Sequence, residues 1–157
     1  MTGGRYRLIC DAIMLLVRAD GRVLCVRKNA QAEHASSQLT AVGGHLEDGE
    51  AVDAAARREA REEAGVDVAP RDQEFVGLAH YNSPQGGGRL GAVFTAQVWS
   101  GEVRNAEPDK HEAVVWVDPA RPPADCHPYT LAIFEMYRTG ALYLSLGWTT
   151  EQAGAAR

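Results

Sequence analysis

Residues 43–66 read GGHLEDGEAVDAAARREAREEAGV, and this segment predicts more of the architecture than any other part of the 157-residue chain. It contains five glutamates, two aspartates and three arginines. From Ala51 to Ala64 it is rich in Ala, Arg and Glu and lacks both Gly and Pro, so it predicts a helix. Gly65 follows where a residue in the left-handed conformation would end that helix. The segment therefore predicts a loop followed by an acidic helix.

Three glutamates of this helix share one face. Glu59, Glu62 and Glu63 are spaced i, i+3 and i+4, and carboxylates at this spacing repel one another unless a cation shields them. Their hard oxygen atoms are ligands that suit Mg²⁺ or Mn²⁺. A solvated, salt-bridged helix surface is the alternative, because runs of charge usually face water. The helix alone leaves both interpretations open.

The residues that flank the helix favour a metal site. Gly43 and Gly44 follow the short apolar run LTAV and predict a strand end where bare backbone approaches a ligand. The segment fits the pattern Gly-x5-Glu-x7-Arg-Glu-U-x-Glu-Glu-x-Gly-U, where U is usually a bulky aliphatic residue. The matching positions are Gly44, Glu50, Arg58, Glu59, Ala60, Glu62, Glu63, Gly65 and Val66. This pattern resembles the Nudix box, the signature of the Nudix hydrolase family. Ala60 departs from it by being small, at a position expected to face packing.

The resemblance implies an α/β fold, a Nudix-type α/β/α sandwich with a mixed β-sheet. The predicted order of elements agrees with it. The turn Asp20-Gly21 between two apolar runs predicts a hairpin, and further strands and a second helix are predicted after the acidic helix. Residues 141–148 fit either a short strand or an extended tail. We expect residues 1–157 to form a single Nudix domain, with residues 148–157 as a frayed tail.

The resemblance also implies an activity. Family members typically hydrolyse a nucleoside diphosphate linked to another group, by attack of water on a phosphorus, with divalent cations supplying most of the chemistry. Arg58 is then expected to orient the helix carboxylates, while Glu50 and Gly65 are structural. The implied ligands of Mg²⁺, or of Mn²⁺, are Glu59, Glu62, Glu63 and the carbonyl of Gly44.

The general base has three candidates. Many family members recruit a glutamate from a later loop, and the segment NAEPDKHEAVVW offers Glu107 and Glu112. We favour Glu107, because it lies inside the polar loop, whereas Glu112 borders a strand and fits a solvated strand end. Glu63 is the rival base within the box. The predicted catalytic residues are Arg58, Glu59, Glu62, Glu63 and Glu107.

Candidate substrate-binding residues lie outside the box. Arg27 and Lys28 end the second predicted strand and are candidates for binding phosphate, although plain strand-end charges are the alternative. Tyr81 is a candidate for stacking on a base, although packing is the more usual role of such a ring. His45 adjoins the box and is a weaker candidate for contact with substrate.

Composition limits the partners and the setting. A formal net charge of −5 argues against stable binding of nucleic acid and against binding to an anionic membrane. The apolar run near the N-terminus is interrupted by Asp11 and is too short to span a bilayer. The three cysteines have no disulfide or metal-ligand spacing, which favours a reducing, cytoplasmic setting. We expect a small-molecule nucleotide substrate and a monomer or homodimer.

The substrate has several alternatives. A small single domain suits a nucleoside triphosphate, (d)NTP, including an oxidised one, and ADP-ribose or another nucleotide sugar is the second choice. A non-catalytic module that senses a nucleotide is an alternative of another class, although such a module would be expected to lose box carboxylates that are all present here. A structural protein with an acidic helix is the remaining alternative.

Overall fold

The computed structural model describes residues 4–149 and has two helices on a mixed sheet of seven strands within that range. Of the predicted tail, residues 150–157 lie outside the described residues, whereas the Trp148 indole packs against the His80 ring with centroids 4.5 Å apart. The predicted fold class is confirmed. The elements are β1 (Ile9–Leu16), β2 (Val23–Lys28), β3 (Leu39–His45), α1 (Val52–Ala64), a 3₁₀ turn (Pro70–Asp72), β4 (Gln73–Asn82), β5 (Gly88–Ala96), β6 (His111–Val117), α2 (Pro128–Thr139) and β7 (Tyr143–Leu146).

The strands follow the order β6-β2-β3-β1-β5-β4-β7 across the sheet. The predicted turn at Asp20-Gly21 exists, with the Gly21 N–H donating to the Arg18 carbonyl at 2.8 Å. The predicted hairpin ladder does not, because only Val17 and Val23 form an isolated bridge between the two strands. The two edges of β1 are instead taken by β3, which is antiparallel, and by β5, which is parallel. Strand β3 thus separates β1 from β2.

Side chains of β1 alternate between two hydrophobic clusters, as successive residues of a strand must. Met14 and Leu16 pack in the cluster that includes the alanines of α1, while Ile13 and Leu15 pack in the cluster that includes Phe134 of α2. Strand β1 is therefore buried on both faces. Each helix covers one face of the sheet, which produces the sandwich.

Helix α1 lies close to the sheet because its packing side is formed by small residues. The alanines Ala55, Ala56, Ala60 and Ala64 are fully buried. They bring the helix backbone, and with it the box carboxylates, close to β1 and β3. Gly65 ends the helix at φ 72°, and its N–H donates to the Arg61 carbonyl.

Strand β3 runs through the two glycines and ends at His45, so the predicted strand end at Gly43 was placed too early. Gly43 and Gly44 pair with Ile13 and Ala12 of β1. The glycines are therefore held by the sheet rather than by a loop. Within the described residues, neither helix is long and apolar enough to cross a membrane.

Candidate metal and active site

Gly44 lies directly against the carboxylate of Glu59, and a Cβ atom at this position would overlap that carboxylate. The neighbouring Gly43 N–H donates to Glu63 Oε2 at 3.3 Å. The carboxylates of Glu59 and Glu63 thus both lie against the backbone of β3, at two positions that have no side chain. This contact accounts for the glycine pair in the sequence and places a row of backbone atoms beside carboxylate oxygens.

The Arg58 guanidinium joins the loop before α1 to two box carboxylates. Its Nε and Nη2 donate to the two oxygens of Glu50 at 3.1 and 2.7 Å. Its Nη1 donates to Glu59 Oε1 at 2.8 Å and to Glu62 Oε2 at 3.1 Å. A further bond from Nη2 reaches the His45 carbonyl at 3.1 Å. One half-buried side chain therefore fixes the positions of the loop, the end of β3 and two carboxylates.

Glu50 lies between the loop and the helix. Its Oε1 accepts the Glu47 N–H at 2.8 Å, and both of its oxygens accept from Arg58. The Arg58 guanidinium, with a smaller effect of the Glu47 N–H, holds the pKa of this carboxyl below its ordinary value. The Glu50 side chain does not cap the helix, because α1 begins at Val52 and its N-cap residue, Ala51, has no side-chain cap.

Glu63 and Glu59 are buried carboxylates, and burial raises the pKa of each despite nearby positive charge. Glu63 is only 4 % exposed, and burial raises its pKa to about 8, with the negative charge of Glu59 adding to the effect and Lys28 opposing it. Burial also raises the pKa of Glu59, although Arg58 opposes this change. Buried carboxylates whose ionised form is disfavoured in this way are the setting in which a metal cation is favourable.

Glu107 joins the box from the loop before β6. Two backbone bonds tie this loop to the end of α1, from the Arg104 N–H to the Ala64 carbonyl and from the Ala106 N–H to the Glu63 carbonyl. One ligand atom from each of three residues then lies within 4.8 Å of the other two, and the three residues are Glu63, Glu107 and His111. Lys110 donates to Glu107 Oε1 at 2.8 Å.

His111 is buried and neutral in this cluster. Its Nε2 lies 3.3 Å from Lys28 Nζ and 3.9 Å from Glu63 Oε1. An ammonium group only donates, so Nε2 accepts from Lys28 and the ring proton is on Nδ1. Burial, with a smaller effect of the Lys28 charge, lowers the pKa of His111 to about 4. The ring therefore does not neutralise Glu63 near neutral pH.

The other predicted residues are less closely associated with the cluster. Glu62 is about half exposed and contacts Arg58, and Glu112 is exposed at the start of β6. Arg27 Nη1 donates to Asp125 Oδ2 at 2.6 Å and to the Ser37 carbonyl at 2.9 Å. The Arg27 charge is therefore already compensated within the protein. Tyr81 is 6 % exposed and stacks on Tyr129 with centroids 4.9 Å apart, which argues against a free ring face for a base.

Two residues of the site had no role in the sequence interpretation. His111 was one of five scattered histidines without ligand spacing, and Lys110 was one charge in a polar loop. Their only signal was proximity to Glu107 in the chain. Lys28 was considered for phosphate, and the structure places its ammonium beside His111 and close enough to Glu63 to affect the Glu63 pKa.

Comparison with known proteins adds to this geometry. A family model described as the NUDIX domain matches residues 9–137. No curated protein sequence is significantly similar to the chain. Among solved structures, the MutT NUDIX hydrolase of Burkholderia pseudomallei has a TM-score of 0.75 at 25% identity, over 83% of this chain and 98% of that one.

Two other solved structures share the fold at lower identity. The MutT protein of Methanosarcina mazei Go1 has a TM-score of 0.74 at 18% identity, over 87% of this chain and 97% of that one. The NUDIX domain of Shewanella oneidensis NrtR, solved in complex with ADP ribose, has a TM-score of 0.68 at 16% identity, over 85% of this chain and 88% of that one.

Proposed function

Because this chain belongs to the Nudix hydrolase family, we propose that it uses Mg²⁺, or Mn²⁺ in its place, to hydrolyse a nucleoside diphosphate linked to another group. The observation that carries this activity is the convergence of Glu107 from a separate loop with Glu63 of the box and with His111, within 4.8 Å. A purely structural acidic helix would have no reason to bury Glu63 beside a second carboxylate, since like charges at this separation are destabilising without a cation.

The donor set fits a hard divalent cation. The implied ligand atoms are oxygens of carboxylates and of the Gly44 carbonyl, and Mg²⁺ and Mn²⁺ prefer such oxygens. Gly44 leaves room for the Glu59 carboxylate, which a Cβ atom would displace. A bound cation would neutralise phosphoryl oxygens and lower the pKa of its water. The residues that would hold it are Glu59, Glu62, Glu63 and the carbonyl of Gly44.

The remaining residues have separate tasks. Arg58 orients Glu59 and Glu62 through its bonds of 2.8 and 3.1 Å. Glu107 acts as the general base that removes the proton from the attacking water, and its ion pair with Lys110 keeps the carboxylate directed at the cluster. Glu112 is exposed and outside the cluster, which disfavours it as the base. Glu63 is the rival base, although it is assigned here as a ligand.

The substrate is assigned as a nucleoside triphosphate, ordinary or oxidised. Two solved neighbours are MutT proteins, and the Lys28 ammonium, which lies beside His111, supplies charge for phosphate oxygens. ADP-ribose is the alternative, favoured by the complex of the Shewanella oneidensis domain. The group linked to the diphosphate contacts residues outside the box, so the box itself does not choose between them.

The test is hydrolysis of a nucleotide panel with Mg²⁺ or Mn²⁺, with each product identified. We expect turnover of at least one (d)NTP, and a loss of several orders of magnitude in Glu63→Gln with the fold retained. Release of nucleoside monophosphate and pyrophosphate would place the attack inside the triphosphate chain. Tight nucleotide binding without turnover with either cation would instead support the non-catalytic sensing module and contradict the hydrolytic role.

A further inference from the structure

A second polar cluster joins Asp11 of β1, Arg89 of β5 and His45 at the end of β3. Arg89 Nε and Nη2 donate to the two oxygens of Asp11 at 2.8 and 2.6 Å. Arg89 Nη2 also lies 2.8 Å from His45 Nε2. Asp11 is only 4 % exposed, in a strand whose following residues are all apolar. A buried ion pair contributes little net stability, because desolvation offsets its attraction, so its presence here calls for a functional explanation.

The cluster lies next to the box, on the other face of the sheet. Asp11 is paired with His45 across β1 and β3, and the next pair is Ala12 with Gly44, the residue that contacts Glu59. Asp11 follows the alternation of Ile13 and Leu15 and so faces α2. To reach the cluster, a molecule whose diphosphate lies at the box would have to extend past the end of β3.

Hydrogen-bonding directions show what the cluster offers to a ligand. A guanidinium only donates, so His45 Nε2 accepts from Arg89 and the neutral imidazole carries its proton on Nδ1. Each oxygen of Asp11 already accepts one guanidinium N–H. Within residues 4–149 the hydrogen bonds of the Arg89 side chain use Nε and Nη2, and none uses Nη1. The His45 side chain is 61% exposed and that of Arg89 21%, so the cluster presents reachable donors rather than acceptors.

An aromatic wall borders these donors. Tyr81 is paired with Arg89 across β4 and β5, and its ring stacks on Tyr129 of α2 at an interplanar angle of 16°. The Tyr129 hydroxyl lies over Gly91, which is paired with Asp11. This hydroxyl oxygen is buried and has no hydrogen-bond partner among the described residues. The Tyr129 hydroxyl is therefore a further polar atom near the ion pair that is available to a ligand.

The charge of the cluster selects among acceptor-bearing groups. Asp11 neutralises Arg89, so the cluster donates hydrogen bonds without net charge, whereas a phosphate group needs uncompensated positive charge. The ammonium groups of Lys28 and Lys110 lie near Glu63 and Glu107, away from this cluster. A neutral group with adjacent acceptors fits better, such as the O6 and N7 atoms at one edge of a guanine-type base. An adenine base presents an amino donor at the same edge.

We propose that Asp11, Arg89 and His45 form a specificity site that binds the acceptor edge of a 6-oxopurine base in the substrate. Arg89 and His45 donate to the base, and Asp11 positions the guanidinium. This inference rests on the proposed nucleotide hydrolysis and goes further by naming the base. The box would act on the diphosphate whether or not this cluster binds the base. The proposed hydrolysis and the proposed base site can therefore fail independently of each other.

The test compares kcat/KM for dGTP and dATP with Mg²⁺ in the wild-type protein and in Arg89→Lys. We expect a wild-type preference for dGTP of at least about tenfold, the size of one good paired contact to a base edge. In Arg89→Lys the preference should fall towards one through a higher KM for dGTP. Arg57→Lys is the matched control, because Arg57 is a similarly half-buried arginine paired with Asp53 on α1, and it should keep the preference.

His45→Ala is the second variant, and because this side chain is exposed its loss should not unfold the chain. The preference of His45→Ala for dGTP over dATP should also be lower than that of the wild-type protein. Equal use of both nucleotides by the wild-type protein, or an equal loss for both in Arg89→Lys, would overturn the assignment. Should no nucleotide be hydrolysed, calorimetric binding of GMP and AMP decides the matter. Tighter GMP binding that Arg89→Lys abolishes supports the site, and equal binding of the two overturns it.

Discussion

At the scale of single residues, Glu107 and Glu112 are a natural pair for identifying the general base. Both are glutamates of the same segment, yet Glu107 lies within 4.8 Å of the Glu63 and His111 ligand atoms while Glu112 is exposed. We expect Glu107→Gln to lower kcat by about 10²–10⁴-fold, the usual contribution of a positioned base. Glu112→Gln should stay near the wild-type rate. The measurement is steady-state hydrolysis of the best nucleotide of the panel.

The rate and the cation requirement of the Glu107 variant separate the possible roles of this residue. If Glu107 is the base, its amide variant should lose rate while the affinity for the cation changes little. A variant that keeps the wild-type rate would transfer the role to Glu63. A variant that loses only cation affinity would make Glu107 a ligand rather than a base.

Gly44 tests the seating of the Glu59 carboxylate on β3. A Cβ atom here overlaps that carboxylate, which sits at the end of a flexible side chain and can move away. We therefore expect Gly44→Ala to fold with little loss of stability in a chelator but to weaken Mg²⁺ binding by about 10–100-fold, as for other changes that disturb ligand orientation. Titration of activity with Mg²⁺ provides the measurement. An unchanged Mg²⁺ requirement would mean that Glu59 binds no cation.

At the scale of elements, the sequence predicts best what local chemistry determines. Helix α1 was predicted to within one residue at its start, because composition and the terminal glycine act within the segment itself. The pairing of β1 with β3 and β5 was not predictable from the Asp20-Gly21 turn, because strand partners are chosen by burial across the whole sheet. A turn signal indicates a change of direction and does not identify the neighbouring strand.

The candidate site also has one part that local sequence determines and one part that depends on long-range strand pairing. The box residues are close in sequence, so their spacing alone places Glu59, Glu62 and Glu63 on one helix face. His111 and Lys28 come from two other strands, and their meeting at Glu63 depends on the pairing of β2 with β6. Tyr81 was a candidate for stacking on a base, but its ring is covered by Tyr129 of α2, a contact between residues far apart in the chain. Such long-range contacts leave little trace in one sequence.

The two helix ends offer a matched pair of substitutions. Gly65 and Gly140 end α1 and α2 in the same left-handed conformation, both at φ 72°. An alanine there costs about 1–2 kcal/mol through the backbone alone. A Cβ at Gly65 also overlaps the Arg104 guanidinium, whereas no atom of the described residues lies within 4 Å of a Cβ at Gly140. We expect Gly65→Ala to destabilise more than Gly140→Ala in urea unfolding. Equal losses would show that Arg104 moves aside freely.

At the scale of the whole molecule, two buried groups of one cluster oppose each other in their effect on stability. Glu63 has a pKa raised to about 8 from 4.5, so the metal-free folded state binds more protons than the unfolded state between these values, and stability falls as pH rises. His111 has a pKa lowered to about 4 from 6.5, so the folded state binds fewer protons there, and stability rises with pH. The two effects partly cancel below pH 6.5.

Between pH 6.5 and 8 only the Glu63 effect remains of these two, and it provides the clearest test of the buried carboxylate. In a chelator, the Tm of the wild-type protein should fall across this window by about 3–6 °C, corresponding to up to about 2 kcal/mol. Glu63→Gln cannot ionise and should lose this decline, whereas Glu112→Gln, an exposed control, should retain it. Added Mg²⁺ should raise the wild-type Tm more at pH 8 than at pH 6.5, because a cation binds the ionised carboxylate and stabilises only the folded state. A wild-type Tm that is flat across the window, or an equal decline in Glu63→Gln, would show that Glu63 is already compensated without metal and would remove the electrostatic reason for a cation at this site.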